Sequence, residues 1–271
     1  MKSKNDKPKW NFAYAMICAA IFVAVFFVYL VFKRNVYQLP ALIVWMEVGL
    51  GIVLLFLMLI SMVKKKISLL WWEAMMLVLV LAGVWIFAIA VFPLWIGIST
   101  AAILILLAFF WPLTIFNNLM AIAGVLGISM VIAWQFPYIV TLFCVLGVLL
   151  YDYYRSNEAG LASLYYDAWK ANIIPGFLLP GEFGGWLVRV EKVWKPGVGH
   201  ISSFLPFIAM AVMALHIMVW GGFWWYAVYA GLILTVGVKF SSISAKKLFE
   251  PWLFLAPGLA VYLVFGMINY L

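Results

Sequence analysis

The chain has 271 residues, of which 69% are apolar and only 10% carry a charge. Soluble domains average roughly 45–50% apolar and about 25% charged residues, so this composition excludes a soluble globular domain and indicates an integral membrane protein. The net charge of +8 does not indicate nucleic-acid binding, because the basic residues lie between apolar runs, in the pattern that sets membrane topology. The cysteines, Cys18 and Cys144, both lie inside apolar runs, which excludes a disulfide framework and a cysteine metal cluster.

Successive apolar runs follow one another along the chain, each close to the ~20 residues that an α-helix needs to cross a bilayer. They lack the period-two alternation of a membrane β-barrel. We therefore predict an all-α, polytopic membrane protein with nine transmembrane helices, at residues 11–32, 41–63, 70–91, 94–111, 116–134, 137–153, 199–220, 223–240 and 252–270. The predicted organisation is a six-helix part (1–153), a cytoplasmic connecting loop (154–198) and a three-helix part (199–271).

The distribution of basic residues predicts the orientation of these helices. With the N-terminus in the cytoplasm, all of the 17 Lys and Arg residues except Lys33 and Arg34 fall in cytoplasmic segments. Because basic residues are enriched on the cytoplasmic side, this asymmetry predicts a cytoplasmic N-terminus and a C-terminus outside. The short connections and unpaired cysteines suit a prokaryotic cytoplasmic membrane.

One connection is much longer than the others. Residues 154–198 contain several prolines and a glycine-rich patch. Near their end, over Trp186–Trp194, the apolar Val188 and Val190 alternate with charged residues. This alternation predicts a short strand, although an irregular linker tolerates the same residues.

Glu73 opens the third predicted span beside Trp71 and Trp72, where an interfacial position is the better interpretation. The other Asp, Glu and His residues within the predicted spans are Glu47, Asp152, His200 and His216. Because charge in hydrocarbon is costly, each is a functional candidate. Glu47 lies about two turns from the outer end of its span, where hydrogen bonding within the bundle explains it equally well, and a histidine such as His216 more often serves in packing. Asp152 lies near the cytoplasmic boundary, where it is either a reactive carboxylate within reach of water or a helix-end aspartate that faces headgroups.

Irregular backbone is predicted at the same depth. Gly197 and Gly199 precede His200 at the start of the seventh span, and paired glycines permit a close approach of backbone. Pro257 lies one to two turns into the ninth span, where it removes a backbone donor. Irregular backbone occurs at membrane depth only where it is buried in protein or lines a wet cavity. Together with Asp152, these positions predict a water-accessible site near the cytoplasmic leaflet.

At these positions the sequence resembles the presenilin and signal-peptide-peptidase family of intramembrane aspartyl proteases, most closely its archaeal presenilin-like branch. Tyr151-Asp152 is similar to the family's Tyr-Asp on the sixth helix, and Gly197-Val198-Gly199 to its Gly-x-Gly before the second catalytic aspartate. Pro257-Gly258-Leu259 stands where the family has Pro-Ala-Leu, with another small residue in place of the alanine. The order of the motifs, the nine spans and the long connection extend the resemblance over essentially the whole chain.

The resemblance implies a presenilin-like fold and hydrolysis of peptide bonds in transmembrane helices at the cytoplasmic side. It implies that Asp152 and His200, at the second aspartate position, occupy the catalytic positions. The residues that it implies in substrate binding or in shaping the site are Tyr151, Gly197, Gly199, Pro257, Gly258 and Leu259. The implied partners are single-span membrane proteins, their transmembrane helices and the lipid bilayer, with no nucleic acid, no metal and no cofactor.

One departure from the family bears on the mechanism, because His200 stands where the family has its second aspartate. In the family, one carboxylate takes a proton from water while its protonated partner donates to the scissile carbonyl. A protonated His200 would pair with Asp152 and weaken it as a base, whereas a neutral His200 acting as the base would require Asp152 to be the acid. We therefore expect proteolysis by the family mechanism to be severely impaired or absent.

Three functions stay open on the sequence. The first is an intramembrane protease, and the second is a pseudoprotease that binds transmembrane helices without cutting them. The third is a transporter or channel, which only the number of spans and the buried ionisable groups favour. In relatives the substrate is thought to add a strand beside the region before the seventh helix, by main-chain hydrogen bonding, and Trp186–Trp194 would suit that role. A metal site built on Asp152 and His200 would have too few ligands.

Overall fold

The structure, a computed structural model, describes residues 10–34, 69–156, 176–180, 183–193, 199–221 and 252–270. Within these ranges the chain is mostly helical, in agreement with the predicted fold class. The long helices are α1 (Trp10–Arg34), α2 (Leu69–Val91), α3 (Leu94–Phe110), α4 (Thr114–Gln135), α5 (Tyr138–Ser156), α6 (Leu205–Gly221) and α7 (Trp252–Tyr270).

Most of the predicted apolar spans correspond to these helices. The spans predicted to begin at residues 11, 70, 94, 116, 137 and 252 are confirmed as helices whose ends differ by a few residues. The spans predicted at 41–63 and 223–240 lie outside the described residues. The span predicted at 199–220 is helical only from Leu205, because the segment before it pairs as a strand.

Prolines separate the four consecutive helices α2 to α5. Pro93 and Pro137 directly precede α3 and α5, and Pro112 lies two residues before α4. Proline lacks the N–H that a continuing helix needs, but its fixed φ suits the start of the next helix. The connections are therefore short, and α2 packs against α3 while α3 packs against α4.

A small antiparallel sheet consists of β1 (Gly176–Pro180) and β2 (Gly199–Ser203). The register places Gly176 opposite Ser203 and Pro180 opposite Gly199. All five residues of β1 are buried, and the strand packs against α1 and α4. Because β2 is followed directly by α6, the sheet lies at the end of the molecule where α6 begins.

The strand predicted over Trp186–Trp194 is wrong. Phe183–Leu187 is a 3-10 turn and Val190–Val193 is a single helical turn. The segment instead pairs briefly with the residues before α4, where the N–H of Val190 donates to the carbonyl of Pro112 at 2.8 Å. Val190 is buried and Arg189 is exposed, so the alternation in the sequence reflects burial against α4 without a regular strand.

Helix α6 lies at the centre of the described fold. It packs against α1, α4, α5 and α7, and every residue from Phe207 to Met218 is buried. A helix that is apolar on all sides is typically buried on all sides. The composition of α6 agrees with this central position but does not determine it, because α3 is also apolar throughout and has exposed residues.

The outward surface of the described helices carries many large apolar side chains. Trp95 and Phe110 on α3 are each 78% exposed, and Ile268 on α7 is 76% exposed. Extensive exposed apolar surface marks contact with a partner or a membrane. Among the described residues, α4 is the one helix that is long and apolar enough to cross a membrane, and most of it is buried inside the protein, while the others contain shorter apolar stretches.

Candidate functional site

The predicted site residues lie on elements that pack together. Tyr151 and Asp152 lie in the last turns of α5, and Pro257 lies in the second turn of α7. Helices α5 and α7 pack against each other, and both pack against α6. His200 lies on β2, directly before α6. The fold therefore brings together the elements that carry the predicted catalytic and site-shaping positions.

Contacts at the other end of α5 establish the direction of these helices. Tyr138, the first residue of α5, donates from its hydroxyl to the carbonyl of Tyr262 at 3.1 Å, and the centroid of its ring lies 6.1 Å from that of His216. Tyr262 and His216 both lie in the second halves of their helices. Helix α5 thus runs antiparallel to α6 and α7. Its last turns, with Asp152, lie at the end where α6 and α7 begin.

The structure places His200 on a strand, whereas both the span prediction and the resemblance imply a helix at this position. Its backbone lies opposite Leu179 of β1, and α6 begins only at Leu205. The helix starts later because β1 provides a pairing partner for the residues around position 200. At His200 and Asp152 the structure describes the backbone, which places both positions at the same end of the fold.

The other motif residues that the structure describes lie on β2, α5 and α7. Gly199 is the first residue of β2 and lies opposite Pro180, Tyr151 precedes Asp152 in α5, and Gly197 lies outside the described residues. Helix α7 continues through Pro257 without an interruption, so the broken backbone expected there is not observed.

The two residues that follow this proline lie in the interior of the bundle. Gly258 is buried, and Leu259 is partly buried against the main hydrophobic core. They therefore belong to the inward face of α7, which packs against α5 and α6.

The edge of β1 that faces α4 is occupied by two asparagine side chains. Asn118 donates from Nδ2 to the carbonyl of Leu178 at 2.7 Å and accepts from the N–H of Leu178 through Oδ1 at 2.8 Å. Asn117 donates from Nδ2 to the carbonyl of Gly176 at 3.2 Å. Both asparagines are buried. The amide of Asn118 thus pairs with both backbone groups of one residue, as a neighbouring strand would.

These bonds determine which backbone groups of β2 face β1. In an antiparallel pair, backbone donors and acceptors point to alternate sides along each strand. The backbone N–H and C=O of Leu178 point toward α4 and therefore away from β2. The residue pairs on either side of Leu178, which are Phe177 with Ser202 and Leu179 with His200, consequently exchange hydrogen bonds across the sheet. The backbone groups of His200 and Ser202 therefore face β1, and those of Gly199, Ile201 and Ser203 face the other edge of β2. Within the described ranges the sheet has two strands, so β2 has a strand neighbour on one side.

His216 lies deep in α6, away from the sheet. It is fully buried among aromatic rings, with the ring centroids of Tyr262 and Trp220 at 5.7 and 6.0 Å. Neither ring nitrogen makes a hydrogen bond of good geometry, although the backbone of Phe136 lies close to it. The burial agrees with a packing role for His216, but the hydrogen bonds expected of a satisfied packing histidine are not observed.

No metal-binding group of three or more His, Cys, Asp or Glu side chains is found in the described part of the chain. Glu47, the remaining ionisable candidate, lies outside that part.

The buried polar residues at the start of α4 were not among the predicted site residues. These residues are Asn117, Asn118 and Thr114. The hydroxyl of Thr114 donates from Oγ1 to the carbonyl of Val188 at 3.0 Å. Buried amides need hydrogen-bond partners, and adjacent asparagines inside a predicted span were a visible signal that such partners existed. The sequence did not indicate that β1 supplies them.

The comparisons with known proteins found no match among protein-family models, curated proteins or solved structures.

Proposed function

We propose that the chain is an integral membrane protein of the presenilin and signal-peptide-peptidase type, which binds transmembrane segments of single-span proteins at the end of the fold that carries the sheet. The observation that carries this proposal is the packing of α5, α6 and α7 against one another, with the sheet at the end where α6 begins. These elements bear Asp152, position 200 and the Pro257-Gly258-Leu259 motif, as expected of a site assembled from the family's sixth, seventh and ninth helices.

The proposed chemistry is hydrolysis of a peptide bond by two groups that exchange protons. Asp152, as a carboxylate, takes a proton from the attacking water, and a protonated carboxyl group at position 200 donates to the oxygen of the scissile carbonyl. The imidazole of His200 does not reproduce this arrangement, because a protonated imidazole pairs with the carboxylate of Asp152 and weakens it as a base, and a neutral imidazole acting as the base would require Asp152 to be the acid. The chain as it stands therefore binds its substrate but cleaves it poorly.

The edge of β2 that faces away from β1, which no other strand of the described part of the chain occupies, supports the binding part of this proposal. An extended peptide adds to a sheet edge through main-chain hydrogen bonds, which supply affinity without requiring a particular sequence. The segment immediately before α6 has such an edge, formed by the backbone groups of Gly199, Ile201 and Ser203. A membrane helix that unwinds locally would pair there, next to position 200. The sheet edge takes over the role that the sequence analysis gave to Trp186–Trp194.

The test compares the native chain with His200→Asp, each reconstituted in lipid vesicles with a single-span reporter helix. Cleavage fragments are identified by mass spectrometry. We expect His200→Asp to raise the cleavage rate by about 10²-fold or more, which is the usual contribution of a positioned acid or base. His200→Asn is the matched control, because asparagine has the shape of aspartate without its carboxyl proton, and it should not raise the rate.

Asp152→Ala in the His200→Asp background should abolish the cleavage. Cleavage that survives this change contradicts the role of Asp152. A His200→Asp protein that leaves the reporter intact, while an active member of the family cuts it under the same conditions, contradicts the proposed protease chemistry.

A pseudoprotease is the second candidate, and His200 is the observation that favours it. This function keeps the helix-binding edge and dispenses with the hydrolysis. It predicts that the native chain and His200→Asp retain the same labelled reporter helix in vesicles, as measured by energy transfer, with no fragments from either. Fragments from His200→Asp that depend on Asp152 would contradict an exclusively binding role for the scaffold.

A further inference from the structure

The buried amide of Asn118 closes one edge of the sheet next to the candidate site. It lies within the first two turns of α4 and is only 1% exposed. Its hydrogen bonds to Leu178, at 2.7 and 2.8 Å, use both the backbone donor and the backbone acceptor of that residue. A side chain that satisfies both groups replaces a strand at that point of the edge.

The contact specifies a register as well as an edge. A strand slipped by one residue would turn its other backbone groups, those of Phe177 or Leu179, toward α4 and would reverse the faces of its side chains. A slip by two residues keeps the faces and brings Gly176 or Pro180 to Asn118, and Pro180 has no N–H to donate. The amide therefore disfavours slips by one residue and the slip by two that pairs Leu178 with Ser203, and β2 inherits the register through the pairing of Leu179 with His200.

The packing of β1 is less selective than this amide pair. The ring of Phe177 contacts those of Phe204 and Phe207, with centroids 5.5 and 4.6 Å apart. Apolar contacts of this kind are not directional, and another apolar residue of β1 could occupy much of the same space after a slip. The hydrogen bonds of Asn118 are directional, and they distinguish the register of the strand.

We propose that Asn118 is a positioning residue for the site, whose amide fixes the register of β1 and thereby the place of position 200 on β2. This inference rests on the proposed function, because it gives position 200 its importance. Asn118 acts through the two strands and touches neither water nor substrate. Asn117 has a lesser role, since it makes a single bond of 3.2 Å to the strand.

The register is measured by disulfide cross-linking, which does not require proteolysis. Leu178→Cys with Ile201→Cys reports the native register, because these residues lie directly opposite each other and opposed residues are close enough for a disulfide. Leu178→Cys with Ser203→Cys reports a slip by two residues. Both pairs are built in a full-length background with Cys18→Ala and Cys144→Ala, and cross-linking is compared in folded, monodisperse protein.

We expect Asn118→Leu to raise the ratio of shifted to native cross-links by about tenfold. A tenfold change corresponds to about 1.4 kcal/mol, close to the net contribution of one or two buried hydrogen bonds. Asn118→Ala, which is smaller and avoids any overpacking, should shift the ratio in the same direction. Asn117→Leu is the matched control and should leave the ratio within about twofold.

A merely structural role would lower both cross-links together and would not raise the shifted one. An unchanged ratio in both Asn118 variants overturns the proposal, and so does an equal shift in Asn117→Leu. In the His200→Asp background, Asn118→Leu should also lower the rate of cleavage per folded molecule, by up to about tenfold, because that rate follows the fraction of molecules in the native register. If His200→Asp proves inactive, the proposed function fails while the cross-links still decide the role of Asn118.

Discussion

Gly266 of α7 lies directly against the ring of Tyr138, the first residue of α5. A Cβ added at Gly266 would collide with the ring atoms of that tyrosine. The ring has little freedom to move, because its hydroxyl donates to the Tyr262 carbonyl and its centroid lies 5.0 Å from that of Tyr262. We expect Gly266→Ala to lower the free energy of unfolding by about 1–3 kcal/mol, the usual cost of overpacking a core. Reversible thermal unfolding in detergent measures this change.

Gly147 provides the matched control on the partner helix. A Cβ added there meets nothing within 4 Å, so Gly147→Ala should be neutral or should stabilise the helix by up to about 1 kcal/mol. Equal destabilisation by both substitutions would contradict the specific contact of α7 with Tyr138. Because that contact establishes the antiparallel direction of α5 and α7, the result also bears on the position of Asp152.

Helices α2 and α4 pack closely through facing glycines. A Cβ at Gly127 would collide with the carbonyl of Gly83, and a Cβ at Gly83 would collide with the carbonyl of Gly124. The colliding atoms are backbone, which cannot rotate away, so the helices must separate. We expect Gly127→Ala to lower the free energy of unfolding by about 1–3 kcal/mol, as measured by unfolding in detergent.

Leu119→Ala tests the outward face of the same helix. Leu119 is 45% exposed, so its truncation should cost less than Gly127→Ala, although it removes three carbon atoms and Gly127→Ala adds only one. The reverse order of the two effects would contradict the placement of the glycine face of α4 against α2. This packing holds the start of α4 in place, from which Asn118 reaches β1.

The helical elements were more predictable than the strands, for physical reasons. A long apolar run bounded by prolines or charges has one favourable structure in a bilayer, which is why the positions of α2 to α5 follow from the sequence. The run Gly176–Pro180 is short and apolar, and periodicity cannot distinguish a short buried strand from a helix. The partner of this strand is β2, which follows only after residues 181–198. The asparagines that select its register lie more than 50 residues earlier in the chain.

The same difference between local patterns and long-range contacts explains why the candidate site was predicted only in part. The position of Asp152 near the end of a helix follows from the predicted spans, because each span was predicted from a local run of apolar residues. The conformation at His200 depends on β1 and hence on contacts distant in sequence, so the predicted helix was wrong at this position. The same long-range contacts conceal the role of Asn118.

At the scale of the whole molecule, the ends of α2 to α4 define two opposite faces. The turn between α2 and α3, which contains Phe92, lies at one end of these helices. The other end carries the start of α4 and the segment Phe183–Leu187, because Val188 bonds to Thr114 there. If the helices cross a bilayer with the predicted orientation, Phe92 lies on the outer side and Leu187 on the cytoplasmic side.

Cysteine labelling in intact cells tests this orientation, since Phe92 and Leu187 are 40% and 71% exposed. In the Cys18→Ala, Cys144→Ala background, we expect a membrane-impermeant maleimide to label Phe92→Cys in intact cells and Leu187→Cys only after permeabilisation. The background protein without added cysteines controls for adventitious labelling. Labelling of both positions before permeabilisation would contradict a bilayer between the two faces. The reverse pattern would place the sheet and position 200 outside, which contradicts the orientation that the basic residues predict.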